Sequence, residues 1–197
     1  MIAPTPAEAI RVLGAATSAL GTRVRGATFV LAPLVAEAGD PAKTLDGELR
    51  ESGHDVETVG LEEISDRIVA MAAEVTGRRS GEDRTPVFLV LYAVDAADAV
   101  LDRSSTDALR TVLHHGPETG VHVLGWWRSA ARLRSQLGSG GAADDVGAWV
   151  ALDVPGSELG PFTPGLAPTW TPRPGRGLYF DRARTSRPEV LIVPEWP

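Results

Sequence analysis

The hexapeptide Val87-Phe88-Leu89-Val90-Leu91-Tyr92 constrains this chain more than any other feature. It is uniformly apolar, rich in β-forming residues and too short for a buried helix, and it shows no alternation. A strand of that kind has both faces covered, which places it at the centre of a parallel sheet flanked by helices. The runs Thr28 to Ala32, closed by Pro33, and Val121 to Gly125 read as further buried strands, and His54 to Val59 as a short alternating one. Helical patterns lie between them. Ala9, Ile10, Leu13, Ala16 and Leu20 line one face of a helix opened by Pro6, and Asp40-Pro41 caps and opens a second through Leu45 and Leu49 to Gly53. Ile64, Ile68, Met71 and Val75 mark a third from Glu62, and two more cover Ser105 to His115 and Arg128 to Leu137. Strands separated by helices imply βαβ crossovers and a mainly parallel α/β sheet. Val146 to Val154 adds a strand, and Gly177 to Phe180 with Val190 to Val193 form a terminal hairpin.

With 197 residues and 43% apolar residues, the expectation is a single domain covering residues 1–197. No run approaches the ~18 consecutive apolar residues of a membrane span, and Met1-Ile2-Ala3-Pro4 lacks the basic start of a signal peptide, so a cytoplasmic location is expected. The lack of cysteine removes disulfides and thiolate metal sites. A net charge of −7 argues against gripping nucleic acid over the whole surface, because counterion release needs clustered cations. Lys43 is the only lysine. That restriction matters, because a phosphate-cradling loop of the G-x-x-x-x-G-K-[ST] kind places a lysine ammonium against the phosphates.

Several residues invite a chemical reading. Lys43-Thr44 follows a strand and opens a helix, yet Glu37 and Ala42 stand where the two glycines belong, and Asp40 repels phosphate. Gly138-Ser139-Gly140-Gly141 follows a helix instead of a strand and has no lysine after it, so it reads as a loop. Asp95 and Asp98 come just after the central strand, where open α/β sheets place ligands, but read more simply as loop and capping aspartates. His114 and His115 suit a helix C-terminus, His122 reads as a hydrogen-bonded core histidine, and Asp144-Asp145 as a solvated turn. No G-x-S-x-G elbow accompanies the Ser, His and Asp residues. No metal site is expected.

The block Val121-His122-Val123-Leu124-Gly125-Trp126-Trp127-Arg128, preceded by Gly116 to Gly120, resembles the glycine-isoleucine-histidine, strand, ATQRP block of the FtsK/SpoIIIE family. These are ring-forming P-loop motors that move DNA, with relatives in conjugation and type VII secretion, and the arginine-rich, lysine-poor composition resembles actinobacterial members. Other pieces fall in family order: Val87 to Leu91 for the Walker B strand, Val146 to Val154 for the strand after the sensor, and Pro174 to Tyr179 for the late glycine-rich strand entry. The resemblance spans about Ala7 to Pro194, with Gly120, His122 and Arg128 as its best single matches.

The resemblance implies a RecA/FtsK-like three-layer fold, ATP and magnesium as the family's ligands, and assembly with other ATPase-type subunits. It also exposes departures. The Walker A loop and the strand leading into it are lacking, Tyr92 and Ala93 stand where the Walker B acidic pair belongs, and Trp126 and Trp127 replace sensor residues. The expected function is therefore a degenerate or partial motor domain, unable to hydrolyse ATP alone, binding no cofactor by itself, and acting in a homo- or hetero-oligomer, with DNA reached only through the assembly. Asp95 and Arg128 are the remaining nucleotide-site candidates, and Trp126, Trp127 and Arg128 the partner-binding candidates. The alternative is a non-enzymatic α/β adaptor or scaffold that binds protein. A lost interior strand leaves two outcomes: Val121 to Leu124 pairs with Val146 to Val154, or another chain covers the gap.

Overall fold

A computed structural model describes residues 1–82, 84–137 and 146–193. The glycine-rich segment 138–141 and Asp144-Asp145 lie outside the described residues. The chain divides into two compact units, one formed by Leu13–Gly125 and the other by Met1–Val12 with Trp126–Pro197. Helix α1 (Pro6–Gly21) begins in the second of these and ends in the first.

The Leu13–Gly125 unit holds β1 (Thr28–Pro33), α2 (Gly39–Glu51), β2 (Asp55–Thr58), α3 (Ile64–Arg78), β3 (Val87–Tyr92), α4 (Arg103–His115) and β4 (Val121–Gly125). Its four strands are all parallel, in the order β2-β1-β3-β4. Every residue of β3 is buried, as its unbroken apolar sequence requires. The register sets Phe29 beside Phe88 and Phe88 beside His122, and their rings stack at 5.0 and 5.4 Å between centroids. His54, just before β2, meets the edge of Phe29 at 5.1 Å, so a row of rings crosses β1, β3 and β4 and ends on His54.

Helix ends differ in how they are closed. Asp102 caps α4, its Oδ1 accepting from the Ser105 N–H at 2.8 Å and from the Ser105 hydroxyl at 2.9 Å, and these bonds hold its carboxyl below the usual range. Asp40, expected as the cap of α2, is instead its second residue. A 3-10 turn over Ala36–Ala38 runs straight into α2, so no extended residue is left for a side-chain cap. After α4 the chain reverses at Gly116, where a Cβ would lie 2.3 Å from the Val112 carbonyl oxygen and 2.4 Å from that of Val121. Only glycine fits that approach.

The other unit carries α5 (Ala130–Leu137), β5 (Ala148–Leu152), β6 (Arg176–Asp181) and β7 (Glu189–Ile192), with the three strands antiparallel in that order. The β6–β7 turn is tied by Asp181, whose Oδ1 accepts from the Ala183 N–H at 2.9 Å while its carbonyl accepts from the Thr185 hydroxyl at 3.0 Å. Trp149 packs against Phe180 and donates its indole N–H to the Phe162 carbonyl at 2.9 Å. The molecule is thus a mixed α/β protein with a parallel four-stranded sheet and a terminal antiparallel hairpin, as the sequence pattern implied.

The first sequence-based outcome for the interior gap, pairing of Val121 to Leu124 with Val146 to Val154, is not what forms. β5 pairs with β6 and not with β4, and its other side is bridged in parallel by Ile2, which also bridges Trp127. The Ile2 N–H donates to Val150 O at 2.8 Å and the Leu152 N–H to Ile2 O at 2.9 Å. The Ala3 N–H donates to Trp127 O and the Trp127 N–H to Met1 O, both at 2.9 Å. Three residues thereby satisfy backbone groups on two sides, which is why so short a piece holds an interior position.

Candidate functional site

Two places in this fold invite ligand chemistry. The first is the carboxyl end of the parallel sheet between β1 and β3, where the strand order reverses: the chain leaves β1 towards β2 on one side and β3 towards β4 on the other. The second is the corner joining Ile2 to the N-terminus of α1, where helical N–H groups favour an anion.

At the first, β3 ends on Tyr92 and turns sharply at Ala93, which adopts φ 58° and ψ 63°, a left-handed conformation uncommon for a residue with a Cβ. A 3-10 helix over Val94–Ala99 follows, and Asp95 on it is only 3% exposed. Asp98 is exposed. The Tyr92 side chain is fully buried, and its hydroxyl finds no hydrogen-bond partner among the described residues. Burial raises the phenol well above its ordinary range, so it is a neutral group at any ordinary pH. Lys43 lies in the second turn of α2 and is exposed.

At the second, the strand-like Met1–Ala3 passes to α1 through Pro4 and Thr5 alone, and α1 itself opens with Pro6. Two prolines withhold two N–H donors, and Glu8 in the first turn already places a carboxylate on the positive end of the helix dipole. An anion meets fewer donors there than at an ordinary helix start, and a like charge.

The remaining sequence candidates resolve as follows. Trp126 is 0% and Trp127 4% exposed, so both rings are packed inside the chain. Trp126 donates its indole N–H to Ala3 O at 2.8 Å and Trp127 to Gln136 Oε1 at 2.5 Å. Their visible work is to pin the N-terminal bridge and α5; of the three partner-binding candidates, Arg128 keeps more exposed surface. His114 and His115 close α4, their rings edge to face at 4.5 Å. His122 corrects the reading of a hydrogen-bonded core histidine: it is half-buried and stacked on Phe88, and partial desolvation lowers its pKa. The hydrogen-bonded core histidine is His54, with Nε2 at 2.8 Å from Gly21 O and Nδ1 accepting from the Ala27 N–H at 3.3 Å, the arrangement of a neutral Nε2–H tautomer. Among the described residues no group of three or more His, Asp or Glu side chains can hold a metal ion, and no helix is long and apolar enough to cross a membrane.

The role of Ile2 escaped the sequence, because a three-residue strand has too little length for any periodicity to show. The pairing of Trp126 with Ala3 spans 123 positions and leaves no local signal.

No family model matches the chain, and no curated protein does. Solved structures do match. The chain is similar to Thermomonospora curvata EccC, ATPases 2 and 3 in complex with a signal sequence peptide, with a TM-score of 0.66 and 15% identity over 98% of this chain. It is also similar to the cytoplasmic domain of the Thermomonospora curvata type VII secretion ATPase EccC, at 0.66 and 14%. The chain spans 35% and 24% of those two chains. At that identity the likeness is one of fold alone.

Proposed function

We propose that this chain is a degenerate module related to the FtsK/SpoIIIE motors, without nucleotide chemistry of its own, which works by assembling with ATPase-type subunits that retain theirs. One observation carries the reading. The corner between Ile2 and α1, where a P-loop motor keeps its glycines, lysine and hydroxyl, consists of Pro4, Thr5 and Pro6 followed by Glu8. The carboxyl end of β3 supports it with a neutral phenol and the methyl of Ala93 in place of two carboxylates.

Residues 1–197 act as one module in the cytoplasm, within a homo- or hetero-oligomer whose other members bind ATP and magnesium. Arg128 faces the neighbouring subunit, and Asp95 serves the fold of the 3-10 turn instead of a metal. The DNA or protein moved by the assembly contacts its catalytic members. A second reading, a non-enzymatic adaptor, draws support from the exposed apolar residues of β7.

Calorimetric titration with ATP and magnesium tests the proposal. The chain alone gives no binding heat, and a mixture with an ATPase-type subunit encoded beside it binds nucleotide with an affinity changed by the presence of this chain. Tight ATP binding by the solitary chain overturns the reading, and a partner whose nucleotide affinity is indifferent to this chain favours the adaptor.

A further inference from the structure

The strand β7 is an outer strand whose free side is unusually well prepared for pairing. In its antiparallel ladder with β6, the Val193 N–H donates to Gly175 O at 3.0 Å, which makes 193/175 a hydrogen-bonded pair. Alternation then turns residues 191 and 189 towards β6 and aims the N–H and C=O groups of Val190 and Ile192 away from it. The side chains of those same two residues share one face of the sheet and are 55% and 71% exposed. They continue the face on which Leu178 and Phe180 are buried.

The surroundings of this edge are basic. Between Arg173 and Glu189 there are five arginines, at 173, 176, 182, 184 and 187, against two carboxylates, Asp181 and Glu189. Arg176 stands opposite Ile192 in the ladder, on the same face as the exposed apolar pair, and is itself exposed. Arg173 and Arg187 are exposed beyond the two ends of the β6–β7 pairing. Asp181 is occupied by Tyr179, Ala183 and Arg184, so it does little to neutralise the rest.

We infer that the free edge of β7 is a docking site for an extended segment of another protein that adds as a strand, with alternate β-branched residues facing Val190 and Ile192 and with acidic residues at its ends facing Arg173, Arg176 and Arg187. Main-chain hydrogen bonds to residues 190 and 192 supply the attachment, the apolar pair supplies the alternating side-chain preference, and the arginines select the charge. The site needs no nucleotide and is independent of the proposed function above.

The test uses the purified chain and a fluorescein-labelled peptide with the core Val-Thr-Val-Thr-Val between pairs of glutamates, read by fluorescence anisotropy. Saturable binding is expected, weakening as salt rises. It weakens about tenfold or more when lysines replace the glutamates, when alternate peptide nitrogens of the probe are methylated on the bonding side, and in Ile192→Lys or Arg176→Glu protein whose circular dichroism is unchanged. Absence of binding at millimolar probe, equal binding of the lysine-ended peptide, or indifference to N-methylation overturns the proposal. A concentration-dependent dimer that excludes the probe and is broken by Ile192→Lys also overturns it, by giving the edge to a second copy of this chain.

Discussion

The outer strand β2 of the parallel sheet and the outer strand β7 of the antiparallel sheet are finished in opposite ways. On β2, the Asp55 N–H donates to Ala27 O and the Val59 N–H to Leu31 O, so the Val56 carbonyl points outward. Arg50 from α2 covers it: its Nη2 donates to that carbonyl while its Nε holds Asp46 at 2.5 Å. Asp55 and Glu57 add charge to the edge, Glu57 paired to Arg67 at 2.9 Å. Such an edge is closed to another strand by an occupied acceptor and by the cost of bringing charge into a ladder. On β7 the outward groups carry apolar side chains and, among the described residues, no covering residue. One chain thus protects one edge and leaves another bare, which points to use of the bare one, since an open apolar edge is a standing aggregation hazard.

The two sheets also differ in how they are anchored, and perturbing each in turn sharpens the contrast. The largest effect is expected at the inner edge of the antiparallel sheet. In a polypeptide starting at Met1 with a free amine, burial lowers that amine from 8.0 to about 5. Below pH 8 the unfolded chain takes up a proton that the folded one refuses. Stability is therefore full above pH 8, falls as pH drops towards 5, and levels off below, by at most about 4 kcal/mol at about 1.4 kcal/mol per unit. Urea unfolding across that range measures it, and N-terminal acetylation should flatten the curve; an unchanged curve after acetylation would assign it to other groups.

Next comes Gly177 on β6, where a Cβ would lie 2.5 Å from Leu152 Cδ2 and 2.6 Å from Ala151 O. Gly177→Ala should cost about 1–3 kcal/mol by forcing β5 and β6 apart. It should weaken the probe of the β7 edge while leaving the amide protection of β1 and β3 in place. Loss of protection in both sheets together would show that the contrast between them is not energetic.

In the parallel sheet, Tyr92→Phe removes a buried hydroxyl without a partner among the described residues. Stability should stay level or rise by about 1 kcal/mol. A loss of comparable size in thermal unfolding would mean that the hydroxyl is satisfied by an internal water. The smallest effect belongs to the bare edge itself: Val190→Thr with Ile192→Thr should change stability by less than about 0.5 kcal/mol, the usual range for exposed sites. It should still abolish binding of the apolar-cored peptide, separating use of the edge from its contribution to folding.

What could be read beforehand follows from range. The strands and helices of the parallel unit were legible because each carries its own period over many residues: the unbroken apolar run at Val87–Tyr92, the 64, 68, 71, 75 face of α3, the strand and break around Gly116. The lack of a G-x-x-x-x-G-K-[ST] motif is likewise a plain feature of the sequence, with one lysine at position 43 and Glu37 and Ala42 before it. Edges and partners were not. That Arg50 reaches the Val56 carbonyl, that His54 and not His122 is the bonded core histidine, and that Trp126 holds Ala3 across 123 positions are outcomes of packing between distant segments.

The amino-acid order by itself determined the α/β character and the hairpin, because hydrophobic period is a local property. Only the tertiary structure decided that Ile2 bridges Trp127 and β5, and that one sheet edge is capped while the other stays open. Those depend on which backbone groups remain unpaired once every strand has found its neighbour, a quantity that exists only in the assembled fold.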